Sequence, residues 1–319
     1  MDDQRPFRAP SAATTIQWWR IGRASLGFIL DIIAISRGPG DILDPLILTT
    51  VLEANLALVN QDPELQRRFG GVEAPPPDEL RRPVSISAVA ASLRLPYETV
   101  RRRLGRMASR GACEISRRGV VVPASVVSDP LYLMLAAARY ERLKRFYFDL
   151  KALGAMAGVG GGSARIPALA EPPIRIGNRV ISEYMLRVMD TIMRRVGDPL
   201  TGLILLEMAR ANAEHLATEA VDVEGPVADA VRRPIRTLAL AKRLGLPSET
   251  VRRHVATLEA GGFCRRIEGG RLAALEQLGQ GEAGGHGLAD NLMNVQRLFA
   301  KLASLGVVAY WEAERGEVD

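Results

Sequence analysis

Cysteine is scarce in this chain: Cys113 and Cys264 are the only two in 319 residues. Two thiols make no disulfide framework. Histidine is almost as rare, and His215, His254 and His286 have no metal-ligand spacing to a cysteine or carboxylate. The longest apolar run near the N-terminus, Ala24 to Ile35, is interrupted by Asp31. It falls well short of the ~20 residues that span a bilayer, and it has no small-residue cleavage pattern. Gly158 to Gly162 lacks the Lys-Ser/Thr of a phosphate-binding loop. No catalytic constellation is visible. These absences predict a cytoplasmic protein that is not an enzyme, with no cofactor, no metal and no membrane segment.

What the chain does have is the same text twice. Residues 72–123 align without a gap on 223–274, at an offset of 151 with 20 of 52 positions identical. The clearest stretch sets Leu95-Pro96-Tyr97-Glu98-Thr99-Val100-Arg101-Arg102 against Leu246-Pro247-Ser248-Glu249-Thr250-Val251-Arg252-Arg253. Arg-Arg-Pro introduces each copy, at Arg81 to Pro83 and at Arg232 to Pro234. The correspondence extends outward: Arg20-Ile21-Gly22 recurs as Arg175-Ile176-Gly177, Gly40-Asp41 as Gly197-Asp198, and Ala54-Asn55 as Ala211-Asn212. A period near 150 is too long for a solenoid. The reading is two homologous modules, 16–156 and 174–311, joined by a Gly- and Pro-rich linker at 157–173. Residues 1–15 read as a disordered tail and 312–319 as a charged one.

Charge follows the duplication. Arg81 to Arg118 carries a net +8 and Arg232 to Arg271 a net +7, leaving −9 for the rest of a chain whose total is +6. Two basic islands in an acidic body are the footprint expected of a polyanion-binding surface. The two cysteines fall at equivalent positions of the repeats, which favours a shared role as small buried residues.

Within each copy the periodicity predicts a short helix, a turn, a second helix and a two-stranded hairpin. In copy one the short helix runs from Ala88 to Leu93, with Ser87 as N-cap. Arg94 to Pro96 makes the turn. The second helix reaches about Arg110, burying Val100, Leu104 and Met107 at i, i+4 and i+7. Strands Cys113 to Ser116 and Val120 to Pro123 flank Arg117-Arg118-Gly119. In copy two Phe263 to Ile267 and Leu272 to Ala274 flank Glu268-Gly269-Gly270. Long helices precede each unit (Ile16 to Ser36 and Leu43 to Val59 in module one), and residues 61–80 read as a linker. Leu131 to Leu153 and Asp290 to Leu305 close the modules. The fold class is mainly α, with two small hairpins.

A Leu-Pro-x-Glu-Thr-Val-Arg-Arg helix, followed by a glycine and a two-stranded hairpin, resembles the winged helix-turn-helix of bacterial transcription regulators of the MarR, GntR and IclR kind. The resemblance covers about 81–124 and 232–275. It implies that Thr99, Arg101 and Arg102 touch double-stranded DNA, with Thr250, Arg252 and Arg253 doing so in copy two, and that the wing tip reaches the backbone or minor groove. Arginine suits such an interface, pairing bidentately with guanine and bonding phosphate. The candidate contacts are Tyr97, Thr99, Arg101, Arg102, Arg106, Arg117 and Arg118, then Ser248, Thr250, Arg252, Arg253, Arg265 and Arg266. Arg103, Arg106 and Arg110 become His254, Thr257 and Gly261, and the Arg117-Arg118 tip becomes Glu268-Gly269. The two half-sites are therefore expected to be read unequally.

Helices flanking a winged domain are the usual dimerisation scaffold in MarR- and PadR-like proteins. A tandem fusion can thus imitate a two-fold homodimer within one chain. The glycine-rich linker also allows two independent readers on a tether. Trp18-Trp19 and the aromatics from Tyr132 to Phe148 could line a pocket for a small-molecule effector, although at helical spacing they are more often core. Homo-oligomerisation through the long helices is compatible with either arrangement. The rival reading is an architectural, replication- or segregation-associated protein whose paired winged domains bind DNA or protein.

Overall fold

The predicted first helix forms as α1 (Ala12–Arg37) in a computed structural model that describes residues 12–37, 41–156, 169–216, 227–279 and 287–316. Helix therefore occupies positions 12–15 of the segment read as a tail, while 1–11 lie outside the described residues. The second predicted helix is interrupted. It becomes α2 (Leu43–Asn55), α3 (Ala57–Gln61) and α4 (Pro63–Arg68), because Leu56 leaves helical geometry at φ −98°, ψ 15°. Asp62 starts α4 by accepting from the N–H groups of Glu64 and Leu65, with proline at the first helical position. Much of the 61–80 linker is thus structure, with Gln66 and Phe69 buried.

The first hairpin unit consists of α5 (Ile86–Ser92), α6 (Tyr97–Ala108), β1 (Glu114–Ser116) and β2 (Gly119–Val121). Ser85 caps α5 in place of the expected Ser87, its Oγ accepting from Ala88 N–H. Module one closes with α7 (Pro130–Ala152). Of the 157–173 linker, 157–168 lie outside the described residues. The second half repeats the order: α8 (Ile174–Val196), α9 (Pro199–Ala213), α10 (Thr237–Leu244), α11 (Ser248–Ala260), β3 (Cys264–Ile267), β4 (Gly270–Ala273), α12 (Leu275–Gly279) and α13 (Gly287–Ser304). It ends in α14 (Val307–Gly316), so residues 312–316 of the predicted charged tail are helical. They are also docked: Glu312 accepts from Tyr147 Oη at 2.7 Å and Lys151 Nζ at 2.6 Å, and Glu314 from Lys144 at 2.6 Å. The whole is mainly α-helical, with two antiparallel two-stranded hairpins.

The cores do not divide where the sequence halves divide. α1 packs on α7 of its own half, but also on α13 and α9; α8 packs on α13 of its own half, but also on α7 and α2. Exchanging each helix for its counterpart in the duplication turns one set of contacts into the other. The shared core is aromatic at its centre. Phe28 of α1 stacks on Phe146 of α7 at 4.4 Å and tilts against Tyr184 of α8 at 5.9 Å, while Phe299 of α13 sits 5.7 Å from Phe146. Trp311 is fully buried and donates its Nε1–H to Tyr140 Oη at 2.7 Å. Asp31 ties the halves at the rim, accepting from Arg142 at 2.8 Å and Arg210 at 3.3 Å.

Each hairpin unit has its own smaller core, against α2 in the first half and α9 in the second. One buried side chain fastens each unit to its helix. The Asn55 amide donates to Arg82 O at 2.7 Å and Val120 O at 3.1 Å and accepts from Val122 N–H at 2.9 Å. Asn212 makes the same set with Arg233 O, Arg271 O and Ala273 N–H, at 2.8, 3.1 and 2.9 Å. These asparagines join each helix to its hairpin.

Candidate nucleic-acid interface

Two helices carry most of the residues in question. In α6 the buried face is Val100, Leu104 and Met107; in α11 it is Val251, Val255 and Leu258. Each follows a turn whose backbone is left-handed, at Arg94 (φ +50°) in one copy and Gly245 (φ +63°) in the other. Each adjoins a hairpin whose second strand lies hard against the segment before α5 or α10. A Cβ on Gly119 would meet Val84 O at 2.6 Å, and one on Gly270 would meet Ile235 O at 2.5 Å, so both positions require glycine. Behind the helices Cys113 and Cys264 are buried, and burial pushes both thiols up to about 11. They stay neutral and pack as small apolar residues.

The outer faces are basic. Tyr97, Arg102, Arg106, Arg117 and Arg118 are exposed in copy one, as are Ser248, Arg253 and Arg266 in copy two; Thr99 and Thr250 are half-buried at the helix starts. Among the described residues none of these arginines has an ion-pair partner. Arg101 and Arg252 are also exposed, but each is paired within its own helix. Arg101 contacts Glu98 at 2.8 and 2.6 Å, and Arg252 contacts Glu249 at 2.7 and 2.6 Å. These bonds hold both glutamates below the usual carboxylate range. Exposed pairs of this kind are weak and salt-screened.

The structure removes other arginines from the surface. Arg81 and Arg232, which open the two Arg-Arg-Pro segments, are buried and donate to Val122 O at 2.9 Å and Ala273 O at 2.7 Å. Their neighbours Arg82 and Arg233 are exposed. Period-two alternation in an extended segment was the signal that could have nominated them. Arg265, an expected contact, stays exposed but is held by Asp229 and, at 2.9 Å, by Glu276, so its charge is paired inside the unit.

Arg103 and His254 likewise turn inward, which corrects the expectation that they read the target differently. Arg103 spans Asp44 at 2.6 Å and Asp41 at 3.0 Å, at the start of α2. His254 meets Thr201 Oγ1 at 2.7 Å and lies 3.7 Å from Asp198, at the start of α9. Asp41 corresponds to Asp198 and Asp44 to Thr201, so the same joint is built twice with different chemistry. The asymmetry between exposed faces rests instead on Arg106 against Thr257, Arg110 against Gly261, and Arg117-Arg118 against Glu268-Gly269.

Of the aromatic stripe, Tyr140, Phe146 and Tyr147 are core, while Tyr132 and Phe148 each line a cavity. Trp19 packs against the second-half core, and the Trp18 side chain lies outside the described residues. Among the described residues no cluster of His, Cys, Asp or Glu is arranged to hold a metal ion, and no helix is long and apolar enough to cross a membrane. No protein-family model, curated protein or solved structure matches this chain, so the reading of its surface rests on this geometry and on the sequence.

Proposed function

We propose that this chain is a sequence-specific, double-stranded DNA-binding transcriptional regulator, and that its two hairpin units are winged helix-turn-helix domains acting as a pseudo-dimer. The observation that carries the reading is the paired outer face of α6 and α11. Both helices bury an apolar stripe, present Glu-Thr-Val-Arg-Arg near the N-terminus and adjoin a short hairpin. On such a helix exposed arginines reach base edges and phosphates together. The matched contacts of α1 and α8 with the opposite half support the pseudo-dimer, since they are what an exchange of scaffold helices across a two-fold produces.

Exposed cations without an ion-pair partner among the described residues are more numerous in copy one, with Arg82, Arg94, Arg102, Arg106, Arg110, Arg117 and Arg118 against Arg233, Arg236, Lys242, Arg253 and Arg266. The target under this reading is an imperfect inverted repeat whose stronger half-site meets α6. Selection from random duplex DNA, followed by titration of the enriched sequence at two salt concentrations, tests it. A recurring two-part site with a steep salt dependence supports the proposal. Affinity that ignores sequence points to the architectural reading, and absence of duplex binding rejects both in favour of a protein partner.

A further inference from the structure

A cavity of about 730 Å³ lies between the first hairpin unit and the helices of both halves. Its walls come from the end of α1, the length of α2, the C-terminal part of α6, the start of α7, and α8 from the opposite half. Most of the wall is aliphatic, with Leu48, Leu52, Met107 and Leu135 among the lining residues. Its charge is lopsided, with seven arginines against three carboxylates. Two of those carboxylates, Asp41 and Asp44, are already engaged by Arg103.

The arginines from α8 are the unusual ones. Arg175 and Arg179 are buried, and among the described residues neither has an ion-pair partner. Arg175 donates to the carbonyls of Val72 and Val127, and Arg179 to those of Phe69 and Gln66. The Arg179 Nε has no hydrogen-bond partner. Glu73 and Glu53 act on the pair only from beyond ion-pair distance, and burial followed by the nearby Glu183 pushes the Glu53 carboxyl up, toward its neutral form. Arg139, at the same wall, is held by the neutral Asn178 and Ser36 and lies over the Tyr132 ring at 5.4 Å. Burying a cation without a counter-charge is costly, and here Arg175 and Arg179 share that condition beside an apolar chamber, with the half-buried Arg139 next to them.

At the corresponding positions the second half carries different residues. Ala112 on the wall corresponds to Phe263, which packs against the second-half core beneath Arg195 at 5.8 Å. Thr49 corresponds to the buried Leu206, and Arg179 to Ala24. Larger apolar groups stand where copy one leaves room, and the buried cation is missing. The lining residues Ala112, Thr49 and Arg179 are therefore particular to one half of the duplication.

We propose that this cavity is a binding site for an amphipathic monoanion, an aliphatic body carrying one carboxylate, with the carboxylate at Arg139, Arg175 and Arg179 and the body along α2 and Met107. A volume of this size suits a small organic ligand, and a carboxylate accepts charge-assisted bonds from guanidinium forks. The site stands independently of DNA binding, since its ligand is recognised by residues away from the outer face of α6. Because Arg106 and Met107 belong to α6 and Arg110 lies just past its end, a bound ligand also bears on the placement of that helix.

The test is calorimetric titration of the full chain, without nucleic acid, with straight-chain carboxylates from hexanoate to dodecanoate and with the matching alcohols. Binding of at least one carboxylate is expected, with its alcohol weaker by roughly tenfold to a hundredfold for the lost charge-assisted bonds. Ala112→Phe and, separately, Thr49→Leu import the residues of the second half and should each reduce carboxylate affinity about tenfold or more, with circular dichroism unchanged. Two substitutions keep the test decisive if one disturbs folding. Alcohols binding as well as carboxylates overturn the anion site. Undiminished affinity in both folded variants overturns the location, and no carboxylate binding by the wild-type chain overturns the proposal. Failure of the DNA experiment leaves each of these readouts unchanged.

Discussion

At the scale of single residues, what decides an arginine's role here is whether a carboxylate or carbonyl lies within reach. Arg102 and Arg253 are exposed and unpaired among the described residues, next to Arg101 and Arg252, which are latched to Glu98 and Glu249. Replacing Arg102 with Ala is expected to cost roughly 1–3 kcal/mol of binding to the selected duplex and to lower the salt slope by about one. Arg253→Ala should cost less, because fewer free cations surround it. Fluorescence anisotropy at fixed and varied salt measures both, and equal affinity of both variants with wild type would remove α6 and α11 from the interface. Asn55 tests stability alone. Truncation to Ala strands Arg82 O and Val122 N–H in a buried joint, while Val120 O keeps its bond from Val84 N–H, with an expected loss on the order of 3 kcal/mol in urea unfolding. Asn212→Ala should match it, since its three bonds are the same.

At the scale of elements, the position of α6 is held by its joint to the start of α2. Burial works to raise the Asp41 carboxyl, but hydrogen bonds from Arg103 and from Leu43 N–H, with the Arg103 charge, outweigh it and hold the group below its ordinary value. A carboxylate depressed in the folded state contributes stability that is present above its unfolded value, about 3.9, and is lost as pH falls below it. Arg103→Met should therefore be less stable than wild type near pH 6, and the gap should narrow as pH is lowered through 4 toward 3. Urea unfolding across that range reads it out, and a gap independent of pH would show that the pair is not what anchors the helix. The α9–α11 joint differs in kind, resting on Thr201 and His254 with no guanidinium.

At the scale of the whole molecule, the interlocked core makes the halves dependent on each other. Phe28, Leu143 and Phe146 face α8 and α13, so a fragment of residues 1–156 exposes a wide apolar face. We expect this fragment to lack near-ultraviolet ellipticity and to aggregate, and co-expression with 169–319 to restore a soluble pair. A fragment that folds alone as a monomer would argue that the shared core is dispensable. The tethered-reader alternative requires separable halves, and the exchange of α1 and α8 leaves little room for that. Under the pseudo-dimer reading one chain covers a whole operator, with half-sites about 34 Å apart, one turn of B-DNA. Footprinting combined with sedimentation of the complex tests it, and protection of a single half-site per chain would count against it.

The amino-acid sequence by itself determined the local order of this protein. The offset of 151 marked equivalent positions, periodicity placed the buried stripe of α6 at Val100, Leu104 and Met107, and glycine spacing located both hairpins. These features depend on neighbours a few residues apart, which is the range over which helix and hairpin patterns act. Tertiary structure decided which basic residues remain exposed and without a carboxylate partner. Arg103 is neutralised by residues 59 and 62 positions away, Arg265 by one 36 positions before it, and Arg81 bonds a carbonyl 41 positions on. A sequence window shows a basic residue but not the partner that folding brings to it. Tertiary structure also decided that the two halves share one core, because an apolar stripe on α1 states only that it must be buried, not that α13 and α9 cover it. The chamber beside α2 follows from both facts at once: it exists where Ala112 and Thr49 leave space and where α8, from the opposite half, delivers Arg175 and Arg179.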